Sequence, residues 1–124
     1  MSDDPRFLAG IEYFNRRAYF SAHEIWEDVW KETDGPDREF YKGLIQVAVA
    51  LHHLTNGNWR GACNLFVRCQ QLLSPFQPRH EGVELDDLLA ALRGCFAAVV
   101  PPQTITDRPQ LDLRHLPTLR PSPQ

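Results

Sequence analysis

Apolar positions along this chain recur with a helical period and are cut into five runs by Pro, Gly and Asn. Phe7, Leu8, Ile11, Phe14 and Ala18 share one face, and Asp4-Pro5 ahead of them suits a cap and first turn, so a first helix is expected over about 5–17. Ser21-Ala-His-Glu24 has the form of a capping box, which starts a second helix at about 21 and runs it to 33, before Asp34-Gly35-Pro36. A third helix is predicted from Asp37 to Thr55. Beyond Lys42 it is apolar on nearly every face and should be central. Asn56-Gly57-Asn58 closes it, because Asn and Gly tolerate the left-handed conformation. A fourth helix over about 58–73 carries Ala62, Leu65, Phe66, Cys69, Leu72 and Leu73 as its buried stripe, and Pro75 and Pro78 stop it. A fifth is expected from Glu84 or Asp86 to about Val99. Strand-like alternation is absent, and residues 101–124 are Pro-dense. The expected fold is all-α: a compact bundle of about five helices in one domain over 1–100, followed by an extended Pro-rich tail in which Ile105, Leu111, Leu113, Leu116 and Leu119 could lie along the bundle.

Composition narrows the function classes. A net charge of −3 argues against nucleic acid as main partner, since phosphate binding needs a basic face. The longest apolar run, 43–54, is too short to span a bilayer, and Met-Ser-Asp-Asp-Pro lacks signal-peptide character. Cys63, Cys69 and Cys95 form no Cys-x-x-Cys pair and read as reduced, buried thiols of a cytoplasmic protein.

The polar residues set among the large apolar ones carry the candidate chemistry. His23 and Glu27 share a helix face, which Trp30 continues one turn later. Gln46 and His53 are two turns apart on the third helix, with the small residues Gly43 and Ala50 on the same stripe. The simplest geometry sets His23 and Glu27 opposite Gln46 and His53 across a tight helix pair. Trp30 would wall the cluster, and its loss to Ala should cost about 3–5 kcal/mol. Three readings follow. His23, Glu27 and His53 could hold a divalent metal with an open position, although neither His-Glu-x-x-His nor Glu-x-x-His is present. His23 or His53 could act as a base, oriented by Glu24 or Glu27, with Gln46 or Asn58 donating to developing charge. Alternatively the cluster is a satisfied network that fixes which helix faces meet. His80 and His115 read as solvated residues of loop or tail.

Tyr19-Phe20-x-x-His23-Glu24-x-x-Glu27-x-x-Trp30, then Gly43-Leu44-Ile45-Gln46-x-Ala48, His53 and Gly57-Asn58-x-x-Gly61-Ala62, resembles the family called domain of unknown function 309 over roughly residues 7–75. The resemblance implies a small all-α domain whose recurrent polar positions are His23, Glu24, Glu27, Gln46, His53 and Asn58, with an aromatic expected where His52 stands. It implies no activity. Two function classes therefore stand side by side: a small-molecule or metal-binding protein, hydrolytic in one version, and a helical interaction module whose form is self-association into a homo-oligomer. For the second, the pair 37–55 and 58–73 loosely resembles a tetratricopeptide hairpin, but one hairpin cannot build a solenoid.

Overall fold

The computed structural model describes residues 4–96 and 117–119. Five helices carry the chain: α1 Pro5–Asn15, α2 Tyr19–Lys31, α3 Asp37–Thr55, α4 Trp59–Leu73 and α5 Leu85–Phe96. A 3-10 turn over Ser74–Phe76 follows α4, and a small antiparallel pair, β1 Arg79–His80 and β2 Val83–Glu84, precedes α5. The expected continuation of the fifth helix through 97–99 and the tail over 101–116 and 120–124 lie outside the described residues. Leu119 is described. It is buried, and the Asn15 side chain clasps its backbone, Nδ2 donating to the carbonyl at 2.8 Å and Oδ1 accepting from the amide at 2.7 Å.

Consecutive helices run antiparallel. Phe7 meets Trp26 and Phe14 meets Tyr19 across α1–α2; Trp30 meets Arg38 and Phe20 meets His52 across α2–α3; Phe66 stacks on Phe96 at 4.5 Å across α4–α5. One buried cluster runs through all five, centred on Trp26, Phe7, Phe14, Phe40, Leu44, Leu51, Leu73 and Leu88. The expectation for α3 holds: Phe40, Leu44, Val47, Ala48, Ala50, Leu51 and Leu54 are buried.

Three local expectations need correction. The second helix starts at Tyr19, so Ser21 lies inside its first turn, and Ala18 at the cap supplies no side-chain bond. The first helix ends at Asn15 instead of 17. There Arg17 takes a left-handed φ of 67°, while its amide donates to the Phe14 carbonyl and that of Ala18 to the Tyr13 carbonyl at 2.8 Å. These are the two bonds of a Schellman turn, which satisfies the Phe14 and Tyr13 carbonyls at the end of α1. The same turn closes α3 with Gly57 at φ 81°, as its Asn-Gly-Asn sequence foretold. The strand pair was missed because two-residue strands are too short to show alternation. Its loop, Glu81-Gly82 at φ 50° and 77°, has the sign pattern of a type I′ turn.

Asp4 caps α1, accepting from the Arg6 amide at 2.9 Å, and binds the Arg6 guanidinium, which also reaches Glu32 beyond the end of α2. The Arg6 bonds hold the Asp4 carboxyl below its usual range. A depressed carboxylate contributes stability above the unfolded-state value of about 4, and loses it as pH falls through the folded-state value. Asp4→Asn should therefore flatten the acid limb of a stability–pH profile. Asp4→Ala should cost about 1 kcal/mol at neutral pH. Urea melts at pH 7 and pH 3 measure both, and parallel profiles for parent and Asp4→Asn would contradict the assignment.

Candidate functional site

On α2, His23 lies in the first turns with its ring held from both sides. Nδ1 is 3.0 Å from the Phe20 carbonyl, which only accepts, so Nδ1 carries a proton. Nε2 faces Glu27 Oε2 at 3.3 Å, an ion pair whenever the ring is protonated. An imidazole fixed by a carbonyl at one nitrogen presents the other in a defined direction, the arrangement that ligating and basic histidines use. The i,i+4 spacing read from sequence thus becomes a real contact.

On α3 the histidines are set the other way. The Asn58 amide is oriented by Oδ1, which accepts the Gly61 amide at 3.1 Å as the cap of α4. Its Nδ2 then faces His53 Nδ1 at a long 3.4 Å. The Asn56 Nδ2 is pinned to the His52 carbonyl at 2.6 Å and stands 3.4 Å from His52 Nδ1. Each of these imidazoles accepts at Nδ1, so the neutral ring carries its proton on Nε2. His52 and His53 are accordingly donors at Nε2, opposite in character to His23.

The structure rotates the expected face of α3. Residue 52, not 53, meets α2: its ring lies 5.5 Å from Phe20, which lies 5.0 Å from His23. His53 joins this row through His52 at 5.8 Å. Phe20 is 52% exposed, so an open aromatic stands between imidazoles from two helices. The resemblance had implied an aromatic at 52, and His52 packs as one. Gly43 faces α4 instead of α2, since a Cβ there would lie 2.6 Å from Leu73 Cδ2.

His23, Glu27, Trp30, Gln46 and His53 are half-buried, and Glu24 and Asn58 are exposed. The Gln46 Oε1 and the indole Nε1 atoms of Trp30 and Trp59 are buried with no hydrogen-bond partner among the described residues. Arg38 lies over the Trp30 ring at 4.1 Å, a cation–π contact the sequence reading did not foresee. Cys69 is buried, donates to the Phe66 carbonyl at 3.2 Å, and burial pushes its thiol up to about 12, so it is not a nucleophile at neutral pH. No disulfide links the three cysteines.

One group was missed altogether. Asp37, His80 and Glu81 bring ligand-capable atoms within 4.8 Å of one another, the single such set of three among the described residues; His23, Glu27 and His53 do not form one. His80 is thus not a solvated loop residue. Its ring packs against Phe40 and Phe76, and its Nε2 lies 2.8 Å from Asp37 Oδ1. No local sequence signal joins residues 43 positions apart.

Among the described residues no helix is long and apolar enough to cross a membrane. The chain is similar to the Bacillus subtilis (strain 168) uncharacterized protein YpuF, 39% identical over 75 residues that make up 60% of this chain and 41% of that protein. It is also similar to an uncharacterized protein of Aquifex aeolicus (strain VF5), 28% identical over 94 residues, 74% of this chain and 28% of that one. The chain therefore spans less than half the length of either relative. The family model described as Domain of unknown function (DUF309) matches residues 7–65 of this chain, a segment that includes all of α2 and α3.

Proposed function

We propose that the surface row Phe20, His23, His52 and His53 across α2 and α3 binds a small planar heterocycle carrying both hydrogen-bond donors and acceptors. The carrying observation is the position of Phe20: an aromatic 52% open to solvent, in ring contact with imidazoles on two helices. A planar ligand can stack there. His52 and His53 offer Nε2–H donors on one side, and Glu27 beside His23 offers an acceptor on the other. Half-buried imidazoles at the surface are reachable, which a sealed structural network would not be. No activated nucleophile accompanies them, so binding is the reading this geometry supports.

Stacking on an aromatic contributes about 1–3 kcal/mol, a factor of about 5 to 150 in affinity. Phe20→Ala should keep stability within about 0.5 kcal/mol, as for an exposed position, while weakening binding about fivefold or more. His52→Ala should weaken it more than His53→Ala, because residue 52 touches Phe20. A thermal-shift screen of purines, pyrimidines and pyridine carboxylates, followed by titration of these variants, tests this. No stabilising compound would count against it. The same exposed Phe20 favours a second reading, self-association. Sedimentation equilibrium separates the two: a parent dimer that Phe20→Ala dissociates, with no compound binding either, supports the interaction module.

A further inference from the structure

We propose that Asp37, His80 and Glu81 form a binding site for a divalent transition metal of the zinc class, apart from the Phe20 row. Asp37 opens α3, and His80 and Glu81 stand at the β1 end and turn of the hairpin, so two separate segments converge. The His80 ring packs against Phe40 and Phe76, each with a centroid 4.7 Å away, and its Nε2 lies 2.8 Å from Asp37 Oδ1. An imidazole nitrogen with two carboxylate oxygens is a borderline-soft donor set. It suits zinc, and it does not suit magnesium or calcium, which take oxygen donors.

The distances nearly close. Ligands at about 2.1 Å from a tetrahedral ion stand roughly 3.4 Å apart. The His80–Asp37 pair at 2.8 Å must open by about half an ångström, and Glu81 already lies within 4.8 Å of both. On binding, His80 Nε2 gives up any proton to solvent and turns its lone pair to the ion; water fills the fourth position. The positive end of α3 opposes a cation, but a helix terminus carries only about half a charge against two carboxylates.

Calorimetric titration of chelator-treated protein with zinc chloride, and separately magnesium chloride, tests the site. One zinc per chain is expected, with magnesium much weaker. His80→Ala and Glu81→Gln should each weaken zinc at least tenfold, while His23→Ala keeps the parent affinity. The proposal is overturned by zinc binding no tighter in the parent than in His80→Ala, by binding lost in His23→Ala but kept in His80→Ala, or by magnesium matching zinc. The second would move the ion to the Phe20 row, so failure here is distinct from failure there. A His80→Ala variant that melts lower without metal while the parent ignores zinc also overturns it, leaving His80–Asp37 as an ion pair only.

Discussion

Trp26→Ala is expected to lower unfolding stability by about 3–5 kcal/mol, the range for deleting a buried aromatic. Trp26 has no solvent exposure. Its ring packs on Phe7 and Phe14, and its Nε1 donates to the Phe7 carbonyl at 3.1 Å. Removal opens a cavity where α1 meets α2. The loss is a large fraction of the 5–15 kcal/mol typical of a domain, and corresponds to a melting point about 20 °C lower. Trp30→Ala should cost about 1–2 kcal/mol, less than the 3–5 kcal/mol expected from sequence, because Trp30 is half-buried, with the Arg38 guanidinium over its ring. Denaturant melts of both variants decide the order. Trp30→Ala proving the more damaging would contradict the packing of α2 described above.

Gly10→Ala should destabilise by about 2 kcal/mol although Ala is the better helix former. A Cβ at Gly10 would lie 2.0 Å from Trp26 Nε1 and 2.5 Å from its Cδ1. The helical preference for Ala over Gly is worth about 1 kcal/mol. Overpacking a filled core costs about 1–3 kcal/mol and occasionally more. The clash wins here because the indole cannot move: it is wholly buried and tied to the Phe7 carbonyl. Helices α1 and α2 would have to part. Because the two residues touch, Gly10→Ala should cost much less in a Trp26→Leu background, a non-additivity that a double-mutant cycle measures. Additive effects, or a Gly10→Ala variant as stable as the parent, would contradict the close approach.

How far the sequence was legible follows from which interactions are local. Helices α3 and α4 were readable to within a residue because Asn56-Gly57-Asn58 encodes its own turn. The α1–α2 corner was not, because Arg17 adopts a conformation that Gly or Asn would have advertised, and Ser21-x-x-Glu24 imitates a cap inside a helix. The His23–Glu27 pair was readable as an i,i+4 contact. Which of His52 and His53 meets α2 was not, since a difference of about 100° on α3 is fixed only by where α4 packs, and Gly43 against Leu73 fixes it. The Asp37–His80–Glu81 group depends wholly on the chain returning after α4 to the start of α3, which no spacing expresses.

The most direct test of a ligand site at the Phe20 row is imidazole 1H–15N NMR of the five histidines during titration with the heterocycles that raise thermal stability. The account predicts that, in free protein at a pH where the rings are neutral, His23 is protonated at Nδ1 and His52 and His53 at Nε2. On titration the ring signals of His23, His52 and His53 should move together along one saturating curve, while His80 stays still; in Phe20→Ala the same curve should shift to a concentration about fivefold higher or more. Ring signals of these three that no compound moves, or that move identically in parent and Phe20→Ala, would contradict it.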